Sequence, residues 1–230
     1  MMSTVVDVPD RVAELLALLD SGDATGKDAN EQELDHLCYP RAPASRPGII
    51  AGSEAGSYIE RSNRLARESG IVAPLEHALL HGGPTSKAYA ATRLGFLRDE
   101  RAFEPLIVSL ANQEPVVRRA AARALHYFRD ARAIEPLIVC LTDWDEETAC
   151  DAAWSLGQIG NAMAVPALIE HKCVRRWRRR QAAYFGLAPI IDSRCVEAAR
   201  FGLTDVKPQV RKAAKSVLAR AELRRRGKWP

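Results

Sequence analysis

The sequence lacks the features of membrane and disulfide-stabilised proteins. No apolar run approaches the length of a membrane span, and no basic stretch followed by an apolar one begins the chain. The five cysteines are odd in number and include no C-x-x-C pair, which argues against a disulfide framework or a zinc knuckle. These absences predict a cytoplasmic protein that is neither exported nor embedded in a membrane.

Catalytic signatures are also scarce. The stretch from Gly157 to Gly160 is typical of a helix terminus with its capping glycine, not of a phosphate-binding loop. His77 and His81 follow Glu76 at i, i+4 spacing, but the H-E-x-x-H order is missing, so we interpret them as a solvated helix face. Five scattered histidines support no Ser-His-Asp arrangement. The sequence therefore predicts no catalytic residue, no metal site and no cofactor.

Aromatic residues make up only 6% of a chain that is 47% hydrophobic, as expected for an array of Ala- and Leu-rich helices. A period of 31 residues runs through it. The segment Glu104–Val108 recurs unchanged as Glu135–Val139. The same step connects a series of leucines: Leu94, Leu125, Leu156, Leu187 and Leu218.

Each unit has the spacing of two helices. Val117, Ala121 and Leu125 fall on one helical face, and a shorter apolar stretch is entered through Pro105, near a first turn where a missing N–H costs little. One such pair cannot bury its apolar face alone, whereas stacked neighbours can. We therefore predict an all-α fold, a right-handed α-solenoid of about five helix pairs.

The repeated unit resembles the short HEAT repeat of phycobilisome-lyase-type proteins over residues 58–223. The resemblance depends on apolar, arginine and aspartate positions that recur in each unit: Val117, Arg118, Ala121, Leu125, Asp130, Arg132 and Leu137. It implies that the second helix of each pair lines a concave surface. It also implies that Arg118, Arg180 and Arg211 are structural arginines near the Asp of the preceding turn.

The N-terminal region departs from the period. An amphipathic helix is predicted over 8–19, with Val12, Leu15, Leu16 and Leu19 on one face. We expect residues 1–57 to form this helix plus an irregular acidic segment over 20–57. The solenoid then occupies 58–230, with a degenerate cap at 58–82, regular repeats at 83–223 and a basic tail at 224–230.

Charge is distributed unevenly along the chain. Residues 1–60 hold 4 Lys and Arg against 11 Asp and Glu, whereas residues 171–230 hold 17 against 4. Either an acidic partner binds the C-terminal end, or the acidic N-terminal arm folds onto it.

One row of positions faces away from the predicted core. Arg123, Trp154 and Phe185 occupy it in successive repeats, which predicts a groove with aromatic side chains and a cationic edge. Either a separate molecule contacts these aromatics, or residues 20–57 or a second copy of the chain cover them. The predicted groove consists of Arg119, Arg123, Cys150, Asp151, Trp154, Tyr184 and Phe185.

A basic strip follows in the next repeat and resembles a phosphate-backbone contact. The equivalent loop one repeat earlier, residues 143–147, is acidic, so part of this charge is also expected to be neutralised internally. The strip consists of Lys172, Arg175, Arg176, Trp177, Arg178 and Arg179.

Three functions are compatible with these patterns. A scaffold that binds a protein partner in the groove needs no chemistry and is favoured. The family resemblance implies the alternative of a bilin lyase or chaperone-like protein that acts on phycobiliproteins, with Cys150 or Asp151 near the chemistry. The basic strip leaves a nucleic-acid-binding protein as the third.

Overall fold

A computed structural model describes residues 7–21, 27–38, 63–190 and 192–227. The described residues form helices and connecting turns without a strand, so the predicted all-α solenoid is confirmed. Residues 22–26, 39–62 and 228–230, which include most of the predicted irregular segment and the end of the basic tail, lie outside the described residues. No helix in the described ranges is long and apolar enough to cross a membrane.

Thirteen helices follow one another in the described residues. They are α1 (Val8–Asp20), α2 (Lys27–Cys38), α3 (63–68), α4 (Val72–His81), α5 (Pro84–Leu97), α6 (Phe103–Ser109), α7 (Pro115–Leu125), α8 (Ile134–Cys140), α9 (Glu146–Ile159), α10 (Val165–His171), α11 (Trp177–Leu187), α12 (Ser193–Gly202) and α13 (Pro208–Arg225).

Helices α4 to α13 form five successive pairs. The second helix of each pair packs on the second helix of the next, from α5 through α7, α9 and α11 to α13. These five helices begin at intervals of 31 residues: Pro84, Pro115, Glu146, Trp177 and Pro208. The period in the sequence therefore corresponds to one helix pair, and α4, predicted within the degenerate cap, is the first helix of a pair.

The core follows the repeated alanines and leucines. Ala90, Ala121 and Ala152 are completely buried, because helices that pack closely leave room only for a methyl group, and the leucine four residues after each is also completely buried. Asn63 stands where the period requires a leucine. It is also buried, and its Nδ2 donates a hydrogen bond to the Phe96 carbonyl at 2.7 Å.

The N-terminal region differs from the prediction in one respect. Helix α1 buries the four predicted apolar residues and packs on α4 and α5. Residues 27–38, however, form helix α2 where the sequence analysis predicts irregular chain. Contacts with the rest of the molecule hold this polar helix in place, including the pair between Arg11 and Glu33 at 2.8 Å. Helix α2 lies beside the first repeats, not on the basic C-terminal end.

Candidate functional site

A groove crosses the second helices of four successive pairs. It encloses about 600 Å³, and residues from α5, α7, α9 and α11 line it. Trp154 and Phe185, which stand one period apart, are 38% and 44% exposed. The described part of α2 does not cover them. We name this feature the groove and define it by Thr92, Phe96, Arg123, Ala124, His126, Tyr127, Glu147, Cys150, Asp151, Trp154, Arg178, Gln181, Ala182 and Phe185.

Aromatic rings continue from Trp154 toward the N-terminal repeats. The His126 ring meets the Trp154 ring edge-on with centroids 4.6 Å apart, and it lies 3.8 Å from the Tyr127 ring. The Phe96 ring in turn lies 4.4 Å from the Tyr127 ring. Such rings offer a large apolar surface with little conformational freedom to lose on binding.

Two carboxylates of α9 form ion pairs with the arginines in and beside the groove. Asp151, with a side chain only 12% exposed, accepts hydrogen bonds from Arg123 at 3.0 Å and Arg119 at 3.3 Å. Glu147 pairs with Arg178 at 2.6 Å and with Arg119 at 3.7 Å. Each pair connects neighbouring second helices, so the carboxylates of α9 draw the arginines of α7 and α11 toward the groove.

Cys150 lies in the groove but is a poor nucleophile. Burial, followed by the negative charges of Glu147 and Glu146, raises the pKa of its thiol to about 11. Since the thiolate is the reactive form, the side chain is un-ionised near neutral pH.

His126 is also kept in its neutral form. Burial is the main cause that lowers its pKa, and the positive charges of Arg129 and Arg98 lower it further. Its Nδ1 contacts the Arg123 carbonyl. A neutral imidazole that lies between two rings adds to the aromatic surface of the groove.

The prediction that Tyr184 lies in the groove is wrong. Tyr184 is 1% exposed, and its hydroxyl donates a hydrogen bond to the Ala198 carbonyl at 3.2 Å. The ring packs against Gly202 of α12, where a Cβ would come within 2.5 Å of the ring carbon Cζ. Tyr184 precedes Phe185 by one residue, and successive side chains of an α-helix are rotated by about 100°. Tyr184 therefore points away from the groove.

The predicted basic strip is not one surface. Arg178 lies in the groove, Arg179 donates hydrogen bonds to the carbonyls of Leu141 and Asp143, and Trp177 packs partly buried against the core. Lys172 lies over the Phe201 ring at 4.5 Å.

Arg175 and Arg176 are the last two residues of the predicted basic strip. They are exposed and border a shallow notch beside Trp144. The basic segment thus contacts the loop of the preceding repeat, as its charges predict, and a continuous phosphate contact does not form.

The predicted Arg119 lies beside the groove and does not line it. Nine of the fourteen residues that line the groove are outside the predicted set: Thr92, Phe96, Ala124, His126, Tyr127, Glu147, Arg178, Gln181 and Ala182. Phe96 and Tyr127 share the 31-residue spacing, which could have indicated them, but the next two positions in that row are Gln158 and Pro189. His126 turns into the groove because α7 ends in a 3-10 turn over His126–Phe128, and the period carries no signal for that turn.

His77 and His81 are exposed on α4, in agreement with their interpretation as a solvated helix face. The rings of His77 and His81 lie 4.9 Å apart on α4. In the part of the chain that the structure describes, no group of three or more His, Cys, Asp or Glu residues could hold a metal ion.

Comparison with known proteins agrees with this architecture. A family model described as HEAT repeats matches residues 103–188. The chain is an α-solenoid whose central repeats match HEAT repeats. No curated protein matches it by sequence.

Several solved structures share the solenoid fold. A designed armadillo repeat protein in complex with the peptide (KR)4 has a TM-score of 0.58 at 15% identity, covering 91% of this chain and 98% of its own. The complex of CpcE and CpcF of phycocyanin lyase from Nostoc sp. has a TM-score of 0.55 at 23% identity, covering 65% and 98%. An engineered protein has a TM-score of 0.56 at 21% identity, covering 92% and 96%. At these identities the similarity concerns the fold alone.

Proposed function

We propose that this HEAT-like solenoid is a binding scaffold that holds a segment of a partner protein in the groove. The observation that carries the proposal is the pair of exposed aromatics, Trp154 and Phe185, on adjacent repeats within one groove. Aromatic residues are enriched at protein interfaces, and a few such anchors, surrounded by polar groups, contribute most of the binding free energy. Adjacent exposed apolar residues on a soluble protein usually mark a contact.

The surroundings of the aromatics favour binding over catalysis. Cys150, the cysteine of the groove, has a thiol with a raised pKa. The two carboxylates of the groove, Asp151 and Glu147, are paired with arginines. The second helices that carry these groups pack directly on one another, so a partner would meet a preformed backbone surface. The armadillo neighbour, whose structure contains a peptide, is an example of the same fold used in this way.

The test is selection from a displayed library of short peptides, carried out on the wild type. The affinity of each selected peptide is then measured for the wild type and for Trp154→Ala/Phe185→Ala. A matched control is Trp144→Ala/Phe201→Ala, which removes the same residue types from exposed positions outside the groove, 71% and 66% exposed. We expect binding to be lost in the first variant and kept in the second. Peptides that bind the first variant as tightly as the wild type would overturn the proposal.

A second candidate is a bilin-handling protein. The continuous rings from Phe96 to Trp154, with Arg123 at their edge, favour a flat conjugated anion as well as a peptide. Titration with a linear tetrapyrrole, followed by visible absorbance, tests it. A saturable red shift that Trp154→Ala/Phe185→Ala abolishes would support bilin binding, and no shift at high ligand concentration would remove this candidate.

A further inference from the structure

The groove and its rim carry more positive charge than their own carboxylates neutralise. The two carboxylates of the groove, Glu147 and Asp151, are shared among three arginines, of which Arg123 and Arg178 line the groove and Arg119 lies beside it. Arg123 keeps a side chain that is 57% exposed despite its pair. The three arginines therefore carry one positive charge more than the two carboxylates neutralise, before the arginines of the rim are counted.

Two further arginines stand at the rim. Arg98 and Arg129 occupy equivalent positions one period apart, at the ends of the second helices, with φ of 52° in both. Both side chains are exposed, and within the described residues neither forms an ion pair. Their charges reach the aromatic wall, because both lower the pKa of the His126 ring that lies in it, in addition to the larger effect of burial.

The chain already places acidic side chains on the same face, one repeat earlier. In α2, the Asp35 carboxylate accepts a hydrogen bond from the Tyr89 hydroxyl at 2.8 Å and pairs with Arg93. Glu31 borders the same depression as Arg119 and Arg123. An acidic helix thus lies against the second-helix surface where that surface begins.

The depression beside α2 and the groove are connected. Thr92 and Arg123 border both of them. A ligand that occupies both would pass Arg123 between them and then reach Trp154 and Phe185.

We infer that the groove selects an acidic partner segment with an aromatic or aliphatic anchor, and that this segment continues past Arg123 toward the depression beside α2. The anchor packs on Trp154 and Phe185, and the carboxylates of the segment meet Arg98, Arg123 and Arg129. Charge complementarity of this kind determines which partner is accepted and accelerates association. This inference rests on the proposed function of the groove and specifies its partner.

The experiment measures fluorescence anisotropy of short labelled peptides that share a central tryptophan and differ in their flanks, which are Glu, Lys or Ser. We expect the Glu peptide to bind at least about tenfold more tightly than the Lys peptide at low salt. The preference should decrease as salt is raised, since exposed charges are screened.

The decisive variant is Arg98→Asn/Arg129→Asn, because asparagine tolerates the left-handed backbone found at both positions. It should lower the affinity for the Glu peptide about three- to tenfold, since each exposed ion pair contributes a modest amount of binding free energy. The affinity for the Ser peptide should not change. Arg64→Gln/Arg200→Gln removes the same charge from exposed helix positions away from the groove and should change neither.

The outcomes separate this inference from the proposed function. Equal or tighter binding of the Lys or Ser peptide, still lost in Trp154→Ala/Phe185→Ala, would leave a peptide-binding groove and overturn the acidic partner. Binding that is indifferent to Trp154→Ala/Phe185→Ala would overturn the groove itself. Self-association of the protein, abolished by that same variant, would identify a second copy as the occupant and overturn the inference as well.

Discussion

Arg118 and Asp143 form a two-pronged ion pair between α7 and the turn that precedes α9. The Arg118 guanidinium donates to the two carboxylate oxygens of Asp143 at 2.7 and 2.8 Å, and both side chains are less than a tenth exposed. The remaining Nη1 donates to the carbonyls of Asn112 and Gln113. The arginine thus joins its own turn to the turn of the next repeat, where the family resemblance implied the Asp of the preceding turn.

The pair recurs, and over three successive repeats it is either kept or lost as a whole. Arg180 and Asp205 repeat the arrangement two periods later, at 2.7 and 3.0 Å. In the repeat between them, both positions are apolar, Ala149 and Val174. A buried charge without its partner is costly, which explains why neither residue is found alone in these three repeats.

Removing one partner should therefore be worse than removing both. We expect Arg118→Ala to lower the free energy of unfolding by about 3–5 kcal/mol, because Asp143 is left buried and uncompensated. Arg118→Ala/Asp143→Val, which copies the intervening repeat, should recover most of the loss. Urea unfolding measures both. A double variant as unstable as the single one would contradict the argument.

Much of the architecture follows from one number in the sequence. A strict period of 31 residues with alanine and leucine at fixed positions leaves room for only one arrangement, stacked helix pairs with small residues between them. The outward position of Trp154 and Phe185 follows as well, since it depends only on the angle from core positions of the same helix.

Other features depend on contacts that the period does not encode. Helix α2 is rich in Asp, Glu, Asn and Gln and buries little beyond Leu34 and Cys38, so it shows no clear apolar periodicity. The buried position of Tyr184 follows instead from the row of equivalent residues in the other repeats. The equivalent residues Ala91, Ala122 and Ala153 are completely buried, and Gly202 on α12 provides the space for a ring.

The corrected position of Tyr184 leads to a prediction. Tyr184→Phe keeps the packed ring but removes the hydrogen bond to the Ala198 carbonyl, so it should lower stability by about 0.5–1.5 kcal/mol. Peptide binding in the groove should not change. Thermal unfolding and anisotropy are measured on the same protein, and a binding defect without loss of stability would show that Tyr184 takes part in recognition.

Cysteine reactivity should distinguish positions along the chain. Burial is the first cause that raises the pKa of Cys38, Cys140, Cys150 and Cys195, each to about 11. Cys173 is exposed. On brief alkylation near neutral pH, we expect mass spectrometry to find modification at Cys173 well before the other four. Rapid modification of Cys150 would instead favour a nucleophilic role for it in bilin chemistry.

His171 should make the fold sensitive to mild acid. It is 5% exposed, and burial, with a smaller contribution from Arg179, lowers its pKa from 6.5 to about 4. Between these values the unfolded chain binds a proton that the native state does not, so stability falls as pH falls. Unfolding measured across this window should show a shallower decrease for His171→Gln than for the wild type. His81→Gln, at an exposed position, serves as control, and parallel curves for all three proteins would refute the assignment.

Helices α9 and α11 approach closely beneath the two groove aromatics, and glycine permits the contact. A Cβ at Gly186 would collide with the backbone carbonyl of Ala153, the neighbour of Trp154. We expect Gly186→Ala to push the helices apart, lower stability by about 1–3 kcal/mol and weaken peptide binding by changing the spacing of Trp154 and Phe185.

Gly160 provides the comparison for that variant. It ends α9 with φ of 78°, and a Cβ there would meet no atom closer than 3.9 Å. Gly160→Asn should leave peptide affinity unchanged, since asparagine accepts this backbone conformation and the site is away from the interhelical contact. If Gly186→Ala lost stability and kept full affinity, the helix spacing would not control recognition, and the groove would have to adapt to its partner on binding.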